Sequence, residues 1–277
     1  MRPEQTALFS DLDGTLFNSS GKVSPENRRA IENYIAAGGC FALSTGRTPV
    51  NVRLLVGDLP VNAPSIVLNG SGVYDFARER MEWALHLDGA KLFPLLRWAL
   101  KELPGLDLQV YTDDGIFYCT PEESAHPGFL AMHRPCSFVS LDSLEDREII
   151  KVLLLPREAD LDRLGRRLEE EGESWMNGKP GAVYMEGSGV IRFFELMPPG
   201  ATKGAALRRL RSHPALAGRT LLGIGDYWND YELLREADIA VAPANAPAEI
   251  QALCRYVTVS NDDHAIRAVL EELLPRL

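Results

Sequence analysis

Four short apolar runs in this chain each stop at a turn that joins glycine to a small or polar residue, and this pattern restricts the fold more than anything else in the sequence. Ala7-Leu8-Phe9 leads into Ser10-Asp11-Leu12-Asp13-Gly14-Thr15, and Cys40-Phe41-Ala42-Leu43 into Ser44-Thr45-Gly46-Arg47. Ser65-Ile66-Val67-Leu68 leads into Asn69-Gly70, and Thr220-Leu221-Leu222-Gly223-Ile224 into Gly225-Asp226. Runs of this length bounded by turn residues read as buried strands. Between the first two, Ser24-Pro25-Glu26-Asn27 opens a helix, with Ser24 as N-cap and Pro25 in the first turn. Ile31, Tyr34 and Ile35 face inward, and Gly38-Gly39 ends the helix. Strand, helix, strand is one crossover unit, which requires parallel strands. The run at 65–68 is predicted to be a further parallel strand. The sequence therefore predicts an α/β fold, a Rossmann-like parallel sheet with helices on both faces.

In open sheets of this kind, ligands gather outside the carboxyl ends of the strands. Asp11 and Asp13 are two apart, so while the chain stays extended both side chains leave on one side. Carboxylates held that close repel; either one takes up a proton or a cation sits between them. Carboxylate and carbonyl oxygens suit a hard ion such as Mg2+. Ser44-Thr45-Gly46 precedes a helix predicted from Pro49 onward, so a hydroxyl and free N–H groups are available to an anion, or Thr45 simply caps the helix. Asn69 is either a turn residue or a ligand contact. Lys203 opens a helix, where the dipole disfavours it; it is either exposed or held near an anion. Asp226, Asn229 and Asp230 place three polar groups near one sheet edge, unless Asp226 merely caps the next helix.

The middle of the chain is of another kind. Residues 106–111 alternate in polarity, and Asp113-Asp114-Gly115 joins them to 116–119 as a hairpin turn would. Such alternation predicts an antiparallel sheet with one wet face. Helical stretches at 91–103 and 160–171 lie between further strand-like runs. Residues 79–197 therefore read as an inserted α+β domain, leaving 1–78 and 198–277 as the first domain, with Pro198-Pro199-Gly200 as a linker.

The formal net charge of −10 disfavours nucleic acid and anionic membrane as partners. A phosphorylated small molecule stays open if its positive contacts are local. There is neither a signal peptide pattern nor an apolar run near the ~20 residues of a membrane span. Cys40, Cys119, Cys136 and Cys254 are scattered, as small buried side chains of a cytoplasmic protein would be.

Taken in order, Asp11-Leu12-Asp13-Gly14-Thr15, Ser44-Thr45-Gly46-Arg47, Lys203-Gly204 and Gly225-Asp226-Tyr227-Trp228-Asn229-Asp230 resemble the four motifs of the haloacid dehalogenase-like phosphohydrolase superfamily. The insertion after the third strand resembles the large α/β cap of its Cof-type branch. Asn69-Gly70, the stretch 199–204, Asn245-Ala246 and the stretch 256–261 are similar to that branch too.

The resemblance implies a Mg2+-dependent phosphatase for small phosphorylated metabolites, sugar phosphates above all. Asp11 would be the nucleophile and Asp13 the general acid and base. Mg2+ would be held by the Asp11 carboxylate, the Asp13 carbonyl and Asp226. Thr45, with Ser44 the weaker choice, Lys203 and Asn229 would bind the phosphate, and Asp230 would orient Lys203 or back the metal. Asn69, Gly70, Arg47 and His264 are candidate substrate contacts. Specificity would come from the cap, where Trp83, Tyr111, Tyr118, His126, Trp175 and Tyr184 are either lining or packing residues. Sugar phosphomutase chemistry and a non-catalytic binding role on the same scaffold are the competing readings. The second is disfavoured because Asp11, Asp13, Lys203 and Asp226 are all present. Tyr227 and Trp228 are unusually bulky for their place between the metal and phosphate motifs.

Overall fold

The computed structural model describes residues 1–172, 174–185 and 188–277, the side chains of Tyr184 and Met185 excepted. In chain order its main elements are β1 (Thr6–Ser10), α1 (Pro25–Ala36), β2 (Cys40–Leu43), α2 (Pro49–Val56), β3 (Ser65–Val67), β4 (Gly72–Asp75) and β5 (Arg80–Ala84). Then come α3 (Gly89–Glu102), β6 (Asp107–Tyr111), β7 (Ile116–Tyr118), α4 (Pro127–His133), β8 (Ser137–Phe138), β9 (Lys151–Leu155), α5 (Leu161–Glu171), β10 (Asn177–Met185) and β11 (Gly189–Met197). The chain finishes with α6 (Lys203–Leu210), β12 (Thr220–Ile224), α7 (Tyr231–Glu236), β13 (Ile239–Ala242), α8 (Ala248–Gln251), β14 (Tyr256–Val257) and α9 (Ala265–Arg267), which runs on in helical turns to Arg276. No helix among the described residues is long and apolar enough to cross a membrane.

Two compact units divide the chain: Met1–Trp83 with Thr202–Leu277, and Ala84–Ala201. Both crossings fall a few residues later than the sequence predicts. At the first, β5 joins a three-stranded sheet with β3 and β4, and the Trp83 ring packs against the core of the first unit, 4.4 Å below the Arg209 guanidinium.

The first unit is built on a five-stranded sheet, order β14-β13-β12-β1-β2, all parallel. Alternate side chains of a strand leave on opposite faces. Ala7 and Phe9 of β1 accordingly pack with Leu207 of α6 and Leu233 of α7, and Leu8 is buried on the other side. Ser24 caps α1 by accepting from the Asn27 amide, and Thr48, not Thr45, does the same for α2. The expectation of a parallel strand at 65–68 needs correction. β3 pairs antiparallel with β4 and touches the parallel sheet through one bridge, Ser44 to Ile66. The reason is local: Leu68 and Asn69 both turn to positive φ, which folds the chain back on itself.

The second unit holds a six-stranded sheet, order β10-β11-β9-β6-β7-β8, antiparallel except where β7 meets β8. Leu92 and Leu96 of α3 and Leu164 and Leu168 of α5 pack on its apolar face with Leu108, Val110, Val152 and Leu154. The opposite face is not wet as the alternation predicts. Asp107, Gln109, Tyr111, Tyr118 and Lys151 are all buried. The stretch carrying α4 lies over them: the His126 amide donates to Asp107, His133 approaches Tyr111 and Tyr118, and Phe129 packs on Phe193.

Candidate active site

Strand register brings the motifs together. β1 and β12 run side by side, Ser10 opposite Ile224, and the Asp11 amide donates to the Ile224 carbonyl at 2.9 Å. Asp11 is therefore the first residue past one strand and Asp226 the second past its neighbour. On the other flank the Ser44 amide donates to Ser10 at 2.8 Å, so the hydroxyl motif arrives at the same sheet edge. This is the point where strand order reverses about β1, a natural crevice.

Past β1 the chain turns sharply. Gly14 adopts φ +74°, and a Cβ there would sit 2.4 Å from an Asp226 carboxylate oxygen. Only glycine lets the turn come this close to Asp226. Thr15 then donates its hydroxyl to Asp226 Oδ1 at 2.8 Å, and Asn245 holds the Gly14 carbonyl at 2.8 Å. The sequence alone assigns neither Thr15 nor Asn245 a function. Their signal was their place, in or near the motifs.

Lys203 is the first residue of α6, which Thr202 caps. Its side chain is fully buried, with Nζ donating to Asp11 Oδ1 at 2.8 Å and to Asp230 Oδ1 at 2.6 Å. The lysine is held by anions, not exposed. Burial alone would lower its pKa, but the charges of Asp11 and Asp230 outweigh this and hold the ammonium above the ordinary lysine range. Burial, then the charge of Asp230, pushes the Asp11 carboxyl up to about 7 against the opposing pull of Lys203. Burial, then the charge of Asp11, brings Asp226 to about 6. Three carboxylates thus compete for one lysine, which leaves a net negative site.

Carboxylate oxygens of Asp11, Asp226 and Asp230 lie within 4.8 Å of one another. Asp230 is already committed: Oδ1 accepts from Lys203, and Oδ2 from the amides of Asp226 and Tyr227. Asp11 and Asp226 are left as the direct donors. Hard oxygen ligands, a surplus of negative charge and the close approach allowed by Gly14 all fit a divalent cation such as Mg2+.

The cavity in front of these groups has a volume of about 420 Å3, lined by Asp11, Asp13, Gly14, Gly46, Arg47, Asn69, Asp226, Tyr227 and Asn229. Asp13 is half exposed there, and Arg47 donates to both its oxygens, at 2.8 and 2.7 Å. Asn229 lies 3.4 Å from Asn69 across the cavity. Thr45 and Ser44 are buried and do not line it. Thr45 Oγ1 accepts from the Arg47 amide, and Ser44 Oγ is buried without a hydrogen-bond partner among the described residues.

Two candidate substrate contacts are placed elsewhere. Gly70 has φ +94°, and a Cβ there would meet the Thr202 carbonyl at 2.1 Å; it lets its turn press against the start of α6, which carries Lys203. His264 bonds Ser24 at the head of α1 and takes no part in the cavity wall. A larger cavity, about 610 Å3, belongs to the second unit between α5 and the β10–β11 hairpin, and none of the motif residues lines it. Of the aromatic candidates in that unit, Tyr111, Tyr118 and Trp175 are buried packing residues, and the Tyr184 side chain lies outside the described residues.

A strand-end carboxylate pair, a buried lysine and an open polar crevice together make a site suited to a divalent cation at the carboxyl edge of a parallel α/β sheet. The chain belongs to the haloacid dehalogenase-like hydrolase family, whose pattern it matches over residues 8–270. Among its relatives, the 5-amino-6-(5-phospho-D-ribitylamino)uracil phosphatase YwtE of Bacillus subtilis is 26% identical, over 95% of this chain and 96% of its own. The HMP-PP phosphatase of Yersinia enterocolitica is 25% identical, over 87% and 84%. Among solved structures, a haloacid dehalogenase-like hydrolase from Bacteroides thetaiotaomicron superposes with a TM-score of 0.82 at 22% identity, over 97% and 99% of the two chains. The HAD subclass IIB sugar phosphatase BT4131 gives 0.72 at 20%, over 97% and 98%. The protein is thus an enzyme of this family, and its curated relatives include named phosphatases.

Proposed function

We propose that the protein is a Mg2+-dependent phosphohydrolase of small phosphorylated metabolites, sugar phosphates included, working through an aspartyl phosphate. The observation that carries this reading is the buried Lys203 bridging Asp11 and Asp230 while Asp226 stands beside them. Asp11 Oδ1 is engaged by the lysine, which leaves Oδ2 to attack phosphorus. The P–O bond to the leaving group breaks as the Asp11–P bond forms, and Asp13 gives the departing alkoxide its proton. Asp13 then takes a proton from the water that cleaves the aspartyl phosphate. Mg2+ bound by Asp11, Asp226 and the Asp13 carbonyl would offset repulsion between carboxylate and phosphate.

Arg47 has a part in this sequence. Both Asp13 oxygens accept from the guanidinium, which fixes the orientation of the carboxyl group at the cavity wall. A phosphoryl group in the cavity offers Arg47 a second bidentate partner. Lys203, Asn229 and the N–H groups around Thr45 would hold the other phosphoryl oxygens. The inserted unit, 84–201, would supply substrate specificity. Hydrolysis of an aryl phosphate by the pure protein, dependent on Mg2+ and lost in Asp11→Asn, is the expected result. Turnover that survives Asp11→Asn would overturn the mechanism, and none with Mg2+ present would overturn the activity.

A further inference from the structure

The catalytic cavity is walled by charged side chains, amides and glycine, with a single exception. Among the described residues Tyr227 is the one aromatic lining it, and it is 57% exposed; its neighbour Trp228 is 52% exposed. Two adjacent rings left in water at a cavity rim present a flat apolar surface that a ligand can cover. Their backbone is fixed where they stand. The amides of Asp226 and Tyr227 both donate to Asp230 Oδ2, and the Asp230 amide donates back to the Tyr227 carbonyl at 2.9 Å. Asp230 itself is fully buried and bound to Lys203. Tyr227 is therefore anchored to the catalytic cluster, and its ring retains only two side-chain torsions. A rigid aromatic at the rim of a polar cavity is pre-organised to take a flat, weakly polar surface at small entropic cost.

From this geometry, and resting on the phosphatase reading above, we infer that Tyr227 is a specificity-determining residue whose ring stacks on an aromatic or heteroaromatic ring in the leaving group. The phosphoryl group occupies the Asp11 side of the cavity, and the ester oxygen directs the leaving group outward past the rim that Tyr227 forms. Open-chain leaving groups have no face to offer it.

The test compares kcat/KM for 1-naphthyl phosphate and glycerol 3-phosphate, with Mg2+, in the wild type, Tyr227→Ala and Tyr227→Phe. The ratio of the two constants is independent of the fraction of protein that is active. In Tyr227→Ala the ratio is expected to fall about tenfold, mostly through KM for the aryl ester, and in Tyr227→Phe to stay near wild type. An unchanged ratio in Tyr227→Ala, or a Phe variant that behaves like Ala, overturns the inference while leaving the phosphatase reading intact. A wild type that hydrolyses neither ester removes that reading, and this one with it.

Discussion

Replacing Lys203 by Met removes the cation bonded to the buried acidic cluster while nearly preserving side-chain volume. Nζ lies 2.8 Å from Asp11 and 2.6 Å from Asp230, with none of it exposed. At an effective dielectric of about 20 each attraction is about 6 kcal/mol. The three carboxylates, with oxygens within 4.8 Å, repel pairwise by about 3.5 kcal/mol or more. The variant loses both attractions and keeps the repulsion. Proton uptake by the carboxylates relieves part of this, so the net loss should be near the about 3–5 kcal/mol found when a buried ion pair is broken.

The pH dependence has a definite sign. Asp11 already has a folded pKa near 7, above its unfolded value, and without Lys203 it rises further, as does Asp230. A carboxyl whose folded pKa is raised makes the protein less stable as pH rises through the interval between the two values. Urea unfolding of the metal-free protein should therefore show the variant furthest below wild type at pH 8 and closest at pH 5. With Mg2+ present, kcat should fall about 10^2–10^3-fold. A deficit below about 1 kcal/mol at pH 8, or one that is equal at pH 5, would refute the reasoning.

Other perturbations separate the remaining roles. Apparent Mg2+ affinity, read by calorimetry, should weaken from pH 8 to pH 5, its slope against pH steepening toward two protons below pH 6, because Asp11 near 7 and Asp226 near 6 must both be ionised. Arg47→Ala should lower kcat/KM by about 10–100-fold, and Arg47→Lys should restore little of it, since an ammonium cannot engage two oxygens as the fork does. Asp107, pushed up to about 6 by its burial, should cost stability as pH rises from 4 to 6, by at most about 3 kcal/mol. In Asp107→Asn that part of the pH dependence of urea unfolding should disappear.

The parallel sheet was legible because its three central strands, β1, β2 and β12, are short apolar runs closed by a turn with glycine, and the site because its acids stand at strand ends, where parallel register aligns them. Interactions set by tertiary approach were not. Gly70 and His264 sit beside motif residues in sequence, yet one is there to let backbones meet and the other to hold the head of α1. Nothing in the spacing of Asp13 and Arg47 shows that they pair, since a guanidinium four bonds from its backbone can reach many partners. The alternation of β6 revealed a polar face, but not that the stretch carrying α4 covers it.

The first unit is assembled from both ends of the chain, with Lys203 meeting Asp11 across 192 positions. During synthesis the intervening unit is contiguous and can close first, whereas the residues of the acidic cluster stay apart until β12 and the turn after it have left the ribosome. A chain that stops before β12 lacks Asp226 and Asp230, so the acidic cluster around Lys203 reports that the two segments of the first unit have met.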